Sequence, residues 1–255
     1  MNEFLTKKKK IRFHSLANVS LAFLVLILIL NACRNSGKDH NQPMNVLTSD
    51  EKAAGWQLLF DGKNMDQWRG YQSDSLPAHW KVMDSTITID VALSDEPSDI
   101  ITRKIYTDFD LKWEWKIAGE GNSGLFYYVT EDYPAMYASG PEYQMIDDFG
   151  FPSDLEPWQK TAANYAMHPA KDPKVKPAGK WNSSRIKVSD SIVEHWLNGE
   201  IVVAYTLWDQ EWDSLKNAGK WKEFSGYGIA QAGHIGIQDH GSRVWIKNIK
   251  IKELN

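Results

Sequence analysis

Three segments place long polar side chains on strands that are otherwise aromatic or aliphatic. The first is Gly140-Pro141-Glu142-Tyr143-Gln144-Met145-Ile146-Asp147-Asp148, a strand entered from a Gly-Pro turn. Strand side chains alternate between faces, so Glu142, Gln144 and Ile146 share one face and Tyr143, Met145 and Asp147 the other. The second is Ile192-Val193-Glu194-His195-Trp196-Leu197, with His195 on the face of Val193 and Leu197. The third, His234 to Gly241, sets Gly236, Gln238 and His240 opposite Ile235, Ile237 and Asp239. Gly236 is expected to leave room above the sheet for a ligand. An acid, two imidazoles and two amides are what general acid–base chemistry on a polyhydroxylated ligand would use. Histidine titrates near neutrality, and a glutamate partly desolvated by aromatic neighbours rises toward it. Glu142, His240 and His195 are therefore the candidate catalytic groups. Gln144, Gln238, Asp239, Asp147, Asn122, Tyr127 and Trp158 are the candidate ligand contacts.

Plainer readings stand beside these. The Glu142 strand could be an ordinary antiparallel strand with one wet face. His195 could be a half-buried strand histidine bonded to a backbone carbonyl. Asp239-His240-Gly241 could be a hairpin turn, and Asp147-Asp148 could simply end a strand. The chain has no phosphate-binding Gly-rich loop, no nucleophile elbow, and no His-x-x-x-His or paired Cys for zinc. No cofactor is identified; a divalent cation on Asp147, Asp148 or Glu142 oxygens is left open without a loop signature.

The elements that must position these groups read as β structure. Twelve Trp, ten Tyr and nine Phe favour pleated surfaces. From Asp108 to Ile117, Phe109, Leu111, Trp113, Trp115 and Ile117 alternate strictly with charged residues, which predicts a half-buried strand and a core role for Trp113 and Trp115. Gly119 to Asn122 is a predicted turn, and Ser123 to Val129 is the predicted partner in a long hairpin. Further strands are expected at 55–62, 68–70, 79–89 with a turn at Asp84-Ser85, 99–102, 181–188 and 243–251. Asn198-Gly199 between two apolar runs predicts a hairpin. Five prolines between Phe149 and Gly179 exclude long elements there, so that stretch is expected as a loop over one sheet face, anchored by Trp158 and Tyr165. Asp209 to Glu223 is the one expected helix. The fold class is all-β: a two-sheet antiparallel sandwich of jelly-roll type.

At the N-terminus, Lys7 to Lys10 and Arg12 precede an apolar run, Leu21 to Leu30, too short to span a bilayer. Leu30-Asn31-Ala32-Cys33 resembles a bacterial lipobox, and Cys33 is the single cysteine of the chain. The expected organisation is a lipoprotein signal peptide at 1–32, a flexible tether at 33–50 from a lipidated Cys33, and a domain at 51–255. The protein is expected in the bacterial cell envelope, touching the membrane through its anchor alone, with outer-membrane, periplasmic or surface-facing placement left open. Removing residues 1–32 leaves 24 basic and 32 acidic residues, a net charge of −8 against −4 for the whole chain. That balance disfavours nucleic acid, whose affinity rests on cationic contacts to phosphate.

Several of these motifs recur together in one family. Residues 55–64 (GWQLLFDGKN), 122–126 (NSGLF), 140–147 (GPEYQMID), 194–199 (EHWLNG) and 233–241 (GHIGIQDHG) resemble, in order, the 3-keto-disaccharide hydrolase family. The resemblance implies a concanavalin-A-like jelly roll and cleavage of glycosides already oxidised at carbon 3, so the expected partner is an oxidised oligosaccharide or glycoside. A 3-ketone acidifies the carbon-2 proton; its removal lets the enolate expel the carbon-1 substituent, and water adds back. In that chemistry His240 or Glu142 would take the proton, His195 or the other member would protonate the leaving oxygen, and Gln144 and Gln238 would hold hydroxyls or polarise the ketone. The chain departs from the family at Thr161-Ala162-Ala163-Asn164-Tyr165-Ala166, where relatives often carry a Gly-Ala-Leu-Tyr-like segment. The competing class is a carbohydrate-binding lipoprotein of the same fold without turnover.

Overall fold

The structure, a computed structural model, describes residues 43–93 and 96–254. The expected signal peptide and Cys33 lie outside the described residues. Among those residues thirteen strands form two antiparallel sheets. The larger holds β1 (Gln57–Leu58), β3 (Trp80–Met83), β4 (Thr86–Ile89), β6 (Phe109–Ile117), β9 (Asn182–Ser189), β10 (Ile192–Leu197), β11 (Glu200–Thr206) and β13 (Val244–Glu253). Its order is β11-β10-β9-β6-β13-β4-β3, with β1 also on β13. The smaller holds β2 (Trp68–Gly70), β5 (Ile100–Tyr106), β7 (Asn122–Val129), β8 (Glu142–Ile146) and β12 (Gly233–Ile237), in the order β2-β5-β12-β7-β8. This is a two-sheet sandwich of jelly-roll type.

Alternation in sequence becomes burial between the sheets. Phe109, Leu111, Trp113, Trp115 and Ile117 of β6 are all buried inward, facing Leu125, Tyr127, Tyr143 and Met145 of the smaller sheet. Trp113 meets the Tyr143 ring edge-on at 4.9 Å, and Tyr143 hydrogen-bonds Ser184 Oγ across the gap at 2.7 Å. The two tight hairpins follow their turn residues. Asp84 and Ser85 adopt φ of 49° and 56°, and Asn198 and Gly199 adopt 50° and 98°, the left-handed pair that a right-twisted hairpin requires.

Several expectations are corrected. β6 and β7 are not a hairpin: β6 pairs with β9 and β13, whereas β7 pairs with β8 and β12, so Gly119 to Asn122 crosses between sheets. The first expected strand shrinks to Gln57–Leu58, and β5 runs on to Tyr106. The expected helix stops at Gly219: Gln210–Ala218 is helical, capped by the Asp209 side chain, and Lys220–Glu223 is a separate 3-10 turn. Residues 43–50 are not free tether. Ser49–Ala53 is a short helix closed by a capping box between Thr48 and Glu51, and Asn45 exchanges two hydrogen bonds with Asn248, at 2.6 and 2.8 Å.

The irregular stretch does more than cover a face. Ala162 N–H donates to Gln144 O, Ala163 O accepts from Gln144 N–H, and Tyr165 N–H donates to Glu142 O, so residues 162–165 line the free edge of β8. Lys171 N–H then donates to Val202 O of β11, the edge of the other sheet. One segment thus closes two edges that would otherwise present unpaired backbone groups.

Candidate functional site

Register across the smaller sheet sets out two rows on the face turned away from the sandwich interior. Ile101, Gly236, Phe126 and Glu142 are successive partners across β5, β12, β7 and β8. One alternation further on lie Asp99, Gln238, Gly124 and Gln144; Ile100 pairs Ile237, Gln238 N–H donates to Gly124 O, and Gly124 pairs Gln144. Glu142, Gln144, Gly236 and Gln238 thereby share one face, whereas His195 of the Ile192–Leu197 strand does not.

The two glycines serve different ends. A methyl group on Gly124 would collide with Glu142 Oε1, so the carboxyl lies flat over that glycine. A methyl on Gly236 would meet the sulfur of Met136, which packs there with Ile101, Phe126 and Val129. The space above Gly236, expected to receive a ligand, is filled by the chain itself. Met136 comes from the connection between β7 and β8, which is clamped to the sheet by the bidentate Arg69–Glu131 pair at 2.7 and 2.6 Å.

Glu142 is the unusual group. It is 5% exposed, and among the described residues no donor hydrogen-bonds its carboxyl. Burial pushes its pKa up to about 8; the Lys220 charge opposes that and the Asp99 charge adds to it. Lys220 sits on the 3-10 turn after the helix, 4.6 Å from the Trp221 ring centroid and 4.7 Å from that of Tyr165. Tyr165 in turn meets the Trp158 ring edge-on at 5.5 Å, which links Trp158 to the site through Tyr165 and Lys220. Gln144 spends its oxygen on Met145 N–H at 3.1 Å, and its Nε2 has no partner among the described residues. Asn122 Oδ1 is buried without a partner. Three polar groups on one face are therefore without a hydrogen-bond partner among the described residues, and of these Asn122 Oδ1 is fully buried.

Asp99 was missed by the sequence reading. It precedes β5, its Oδ1 accepts from Asp239 N–H at 2.9 Å, and burial raises its pKa to about 7, with the Asp239 charge contributing. No local pattern marks it; a lone acid before a strand gains meaning only from its cross-strand neighbours. Lys220 was hidden for the same reason.

The remaining candidates fall elsewhere. His195 is fully buried on the interior face of the larger sheet, so it does not join Glu142. Its Nδ1 bonds Ala162 O at 2.9 Å and its Nε2 lies 3.4 Å from Tyr127 Oη; burial lowers its pKa to about 4, which keeps the ring neutral. Tyr127 is likewise interior, bonded to Tyr205, and is corrected from ligand contact to core. Asp239 accepts from Ser98 N–H and Gly241 N–H at 3.1 and 2.9 Å, and His79 Nε2 lies 3.0 Å from its Oδ2. Asp147 accepts from Glu120 and Phe149 N–H, fastening turns at the end of β8. His240 lies past the end of β12, in the crossover to β13, with its side chain exposed. Asp148 is occupied by Thr161 N–H at 2.9 Å. Among the described residues no group of three or more His, Cys, Asp or Glu could hold a metal, and Asp147 and Asp148 do not converge with Glu142 as a cation would need.

The model of the 3-keto-alpha-glucoside-1,2-lyase-like domain matches residues 55–252. A 3-keto-disaccharide hydrolase of Bacteroides thetaiotaomicron is 32% identical over 240 residues, 83% of this chain and 83% of that protein. The crystal structure of a provisionally assigned glycosyl hydrolase from Parabacteroides distasonis superposes with a TM-score of 0.79 at 42% identity, covering 84% of this chain and all of the other. A second from that organism gives a TM-score of 0.62 at 27% identity over 78% and 99% of the two chains.

Proposed function

This chain belongs to the 3-keto-alpha-glucoside-1,2-lyase-like family, and from that premise we propose that it cleaves glycosides already oxidised to a ketone at carbon 3. The observation that carries the reading is Glu142: a buried carboxyl without a hydrogen-bond donor, held flat over Gly124 on a face with two other unpartnered polar groups. A carboxyl whose pKa is about 8 is largely protonated at neutral pH and is suited to deliver a proton to a leaving oxygen. The ketone acidifies the carbon-2 hydrogen; after its removal the enolate expels the carbon-1 substituent, and water adds to the resulting enone. Gln144 Nε2 and Asn122 Oδ1 supply a donor and an acceptor for sugar hydroxyls. In this reading His195 keeps the interior polar network in order and takes no proton from the substrate. The protein would act at the bacterial envelope, tethered through a lipid on Cys33.

The test is to incubate the purified protein in heavy water with a 3-keto-glucoside and with the unoxidised glucoside, followed by NMR. Aglycone release from the keto sugar alone, with deuterium at carbon 2, is the expected result. Glu142→Gln should slow release by about 10²- to 10⁴-fold. Binding of the sugars with no release from either would instead favour the carbohydrate-binding class.

A further inference from the structure

Glu142, protonated when the sugar arrives, cannot take the carbon-2 proton before giving up its own, so a second group on the same face of the sheet is needed as the base. We propose that Asp99 is that group, taking the carbon-2 proton while Glu142 serves the leaving oxygen, and that Asp239 is the residue that positions it. The proposal rests on the functional reading above.

The placement is specific. Asp99, immediately before β5, and Glu142, on β8, lie at the two sides of a four-strand span, with β12 and β7 between them. Three strand spacings and the two-residue offset between their rows put those backbones about 16 Å apart, and both side chains rise from the same face. Asp99 is held by a reciprocal clasp. Asp239 N–H donates to Asp99 Oδ1, while Asp239 Oδ2 accepts from the N–H of Ser98, the residue before it. Tyr71 N–H fixes the Asp99 carbonyl as well. Asp99 Oδ2 is left without a partner among the described residues, a fixed carboxylate with one oxygen unengaged. His240, by contrast, is exposed and makes no hydrogen bond among the described residues, so nothing orients its ring. The ionisable groups acting on Asp99 are Asp239 and Glu142, with His79 behind Asp239 and Tyr71 beside it. Those acting on Glu142 are Lys220 and Asp99, with Tyr227 nearby. Raised affinity for protons at both carboxyls agrees with the geometry.

The cycle balances. Ionised Asp99 takes the carbon-2 proton, and the C–H electron pair forms the enolate. The enolate re-forms the ketone, making the carbon-1–carbon-2 double bond and breaking the carbon-1–oxygen bond, and protonated Glu142 gives its proton to that oxygen. In hydration, ionised Glu142 takes a proton from the water adding to carbon 1, and protonated Asp99 returns its proton to carbon 2. Both groups end as they began.

Asp99→Asn keeps the acceptor for Asp239 N–H and removes the base. Carbon-2 exchange and aglycone release should both fall by about 10²- to 10⁴-fold. Glu142→Gln should lose release but keep exchange. Asp239→Asn removes a charge that raises Asp99, so the rise of exchange with pH should move to lower pH, which a purely structural role would not produce. Exchange at the unaltered rate in Asp99→Asn, or its loss in His240→Ala instead, overturns the assignment while leaving the functional reading intact. A wild-type protein that neither exchanges nor releases overturns both. A readout that needs no substrate is the carbon-13 titration of the Glu142 carboxyl. Its midpoint should move to lower pH in Asp99→Asn, and an unmoved midpoint refutes the pairing.

Discussion

Replacing Glu142 by Gln should make the protein more stable at alkaline pH than the wild type, and the gain should be absent in acid. A carboxyl whose pKa rises from 4.5 to about 8 on folding binds its proton more tightly in the native state. Between those values the folded chain holds a proton that the unfolded chain has released, so stability falls as pH rises through the window. Each unit of pKa is worth about 1.4 kcal/mol. The handicap carried by the wild type is therefore about 1 kcal/mol at pH 5 and approaches about 5 kcal/mol at pH 9. Glutamine has nearly the same shape and no charge to desolvate. Its unpartnered amide costs the same at every pH and cancels when two pH values are compared. Denaturant unfolding of both proteins at pH 5, 7 and 9 should give a stability difference that grows by about 4 kcal/mol across the range. Other titrating groups, Asp99 included, are present in both chains. A difference that stays flat within about 0.5 kcal/mol would show that water or a cation reaches the carboxylate, and the argument from desolvation would fail.

His195 predicts the mirror image in acid. Its pKa falls from 6.5 to about 4 on burial, so the stability it confers is whole above pH 6.5 and is lost as pH drops toward 4, by about 3 kcal/mol; His195→Gln should melt with that part of the acid dependence removed. Gly124→Ala drives a methyl group into Glu142 Oε1 and should cut aglycone release by about 100-fold while the circular dichroism spectrum stays native. A chain begun at Glu51 loses the Asn45–Asn248 exchange and the Thr48 cap, and should be about 2–3 kcal/mol less stable than one begun at Pro43 by urea titration.

Alternation is a local signal, and what it encodes came through: β6 buries the residues its pattern marks, and β8 sets Glu142 and Gln144 on one face. Which strand lies beside which is not local. The Gly119–Asn122 turn reads the same whether it reverses within a sheet or steps across the sandwich, and only the global pairing decides it. The same gap explains the errors at Gly236 and His195. Gly236 does give up volume, but Met136, distant in sequence, takes it. His195 carries a residue type suited to catalysis on a strand whose sheet faces the other way, and its partner proved to be the carbonyl of Ala162. Asp99 and Lys220 had no signature, because each acts through neighbours the chain brings in from elsewhere.

The edge closure at β8 also bears on folding fidelity. β8 is gripped on both sides, by β7 and by residues 162–165, so its register is fixed twice. A slip of one residue would turn Glu142 and Gln144 inward against Trp113 and push Tyr143 and Met145 out to solvent. Such a chain would forfeit the Tyr143 hydrogen bonds to Ser184 and Trp196 and would bury an acid in an apolar core. The error is self-rejecting. A population of correctly assembled molecules is thus a population whose carboxyl lies on the face turned away from the sandwich interior, and little of the purified protein should be folded yet miswired.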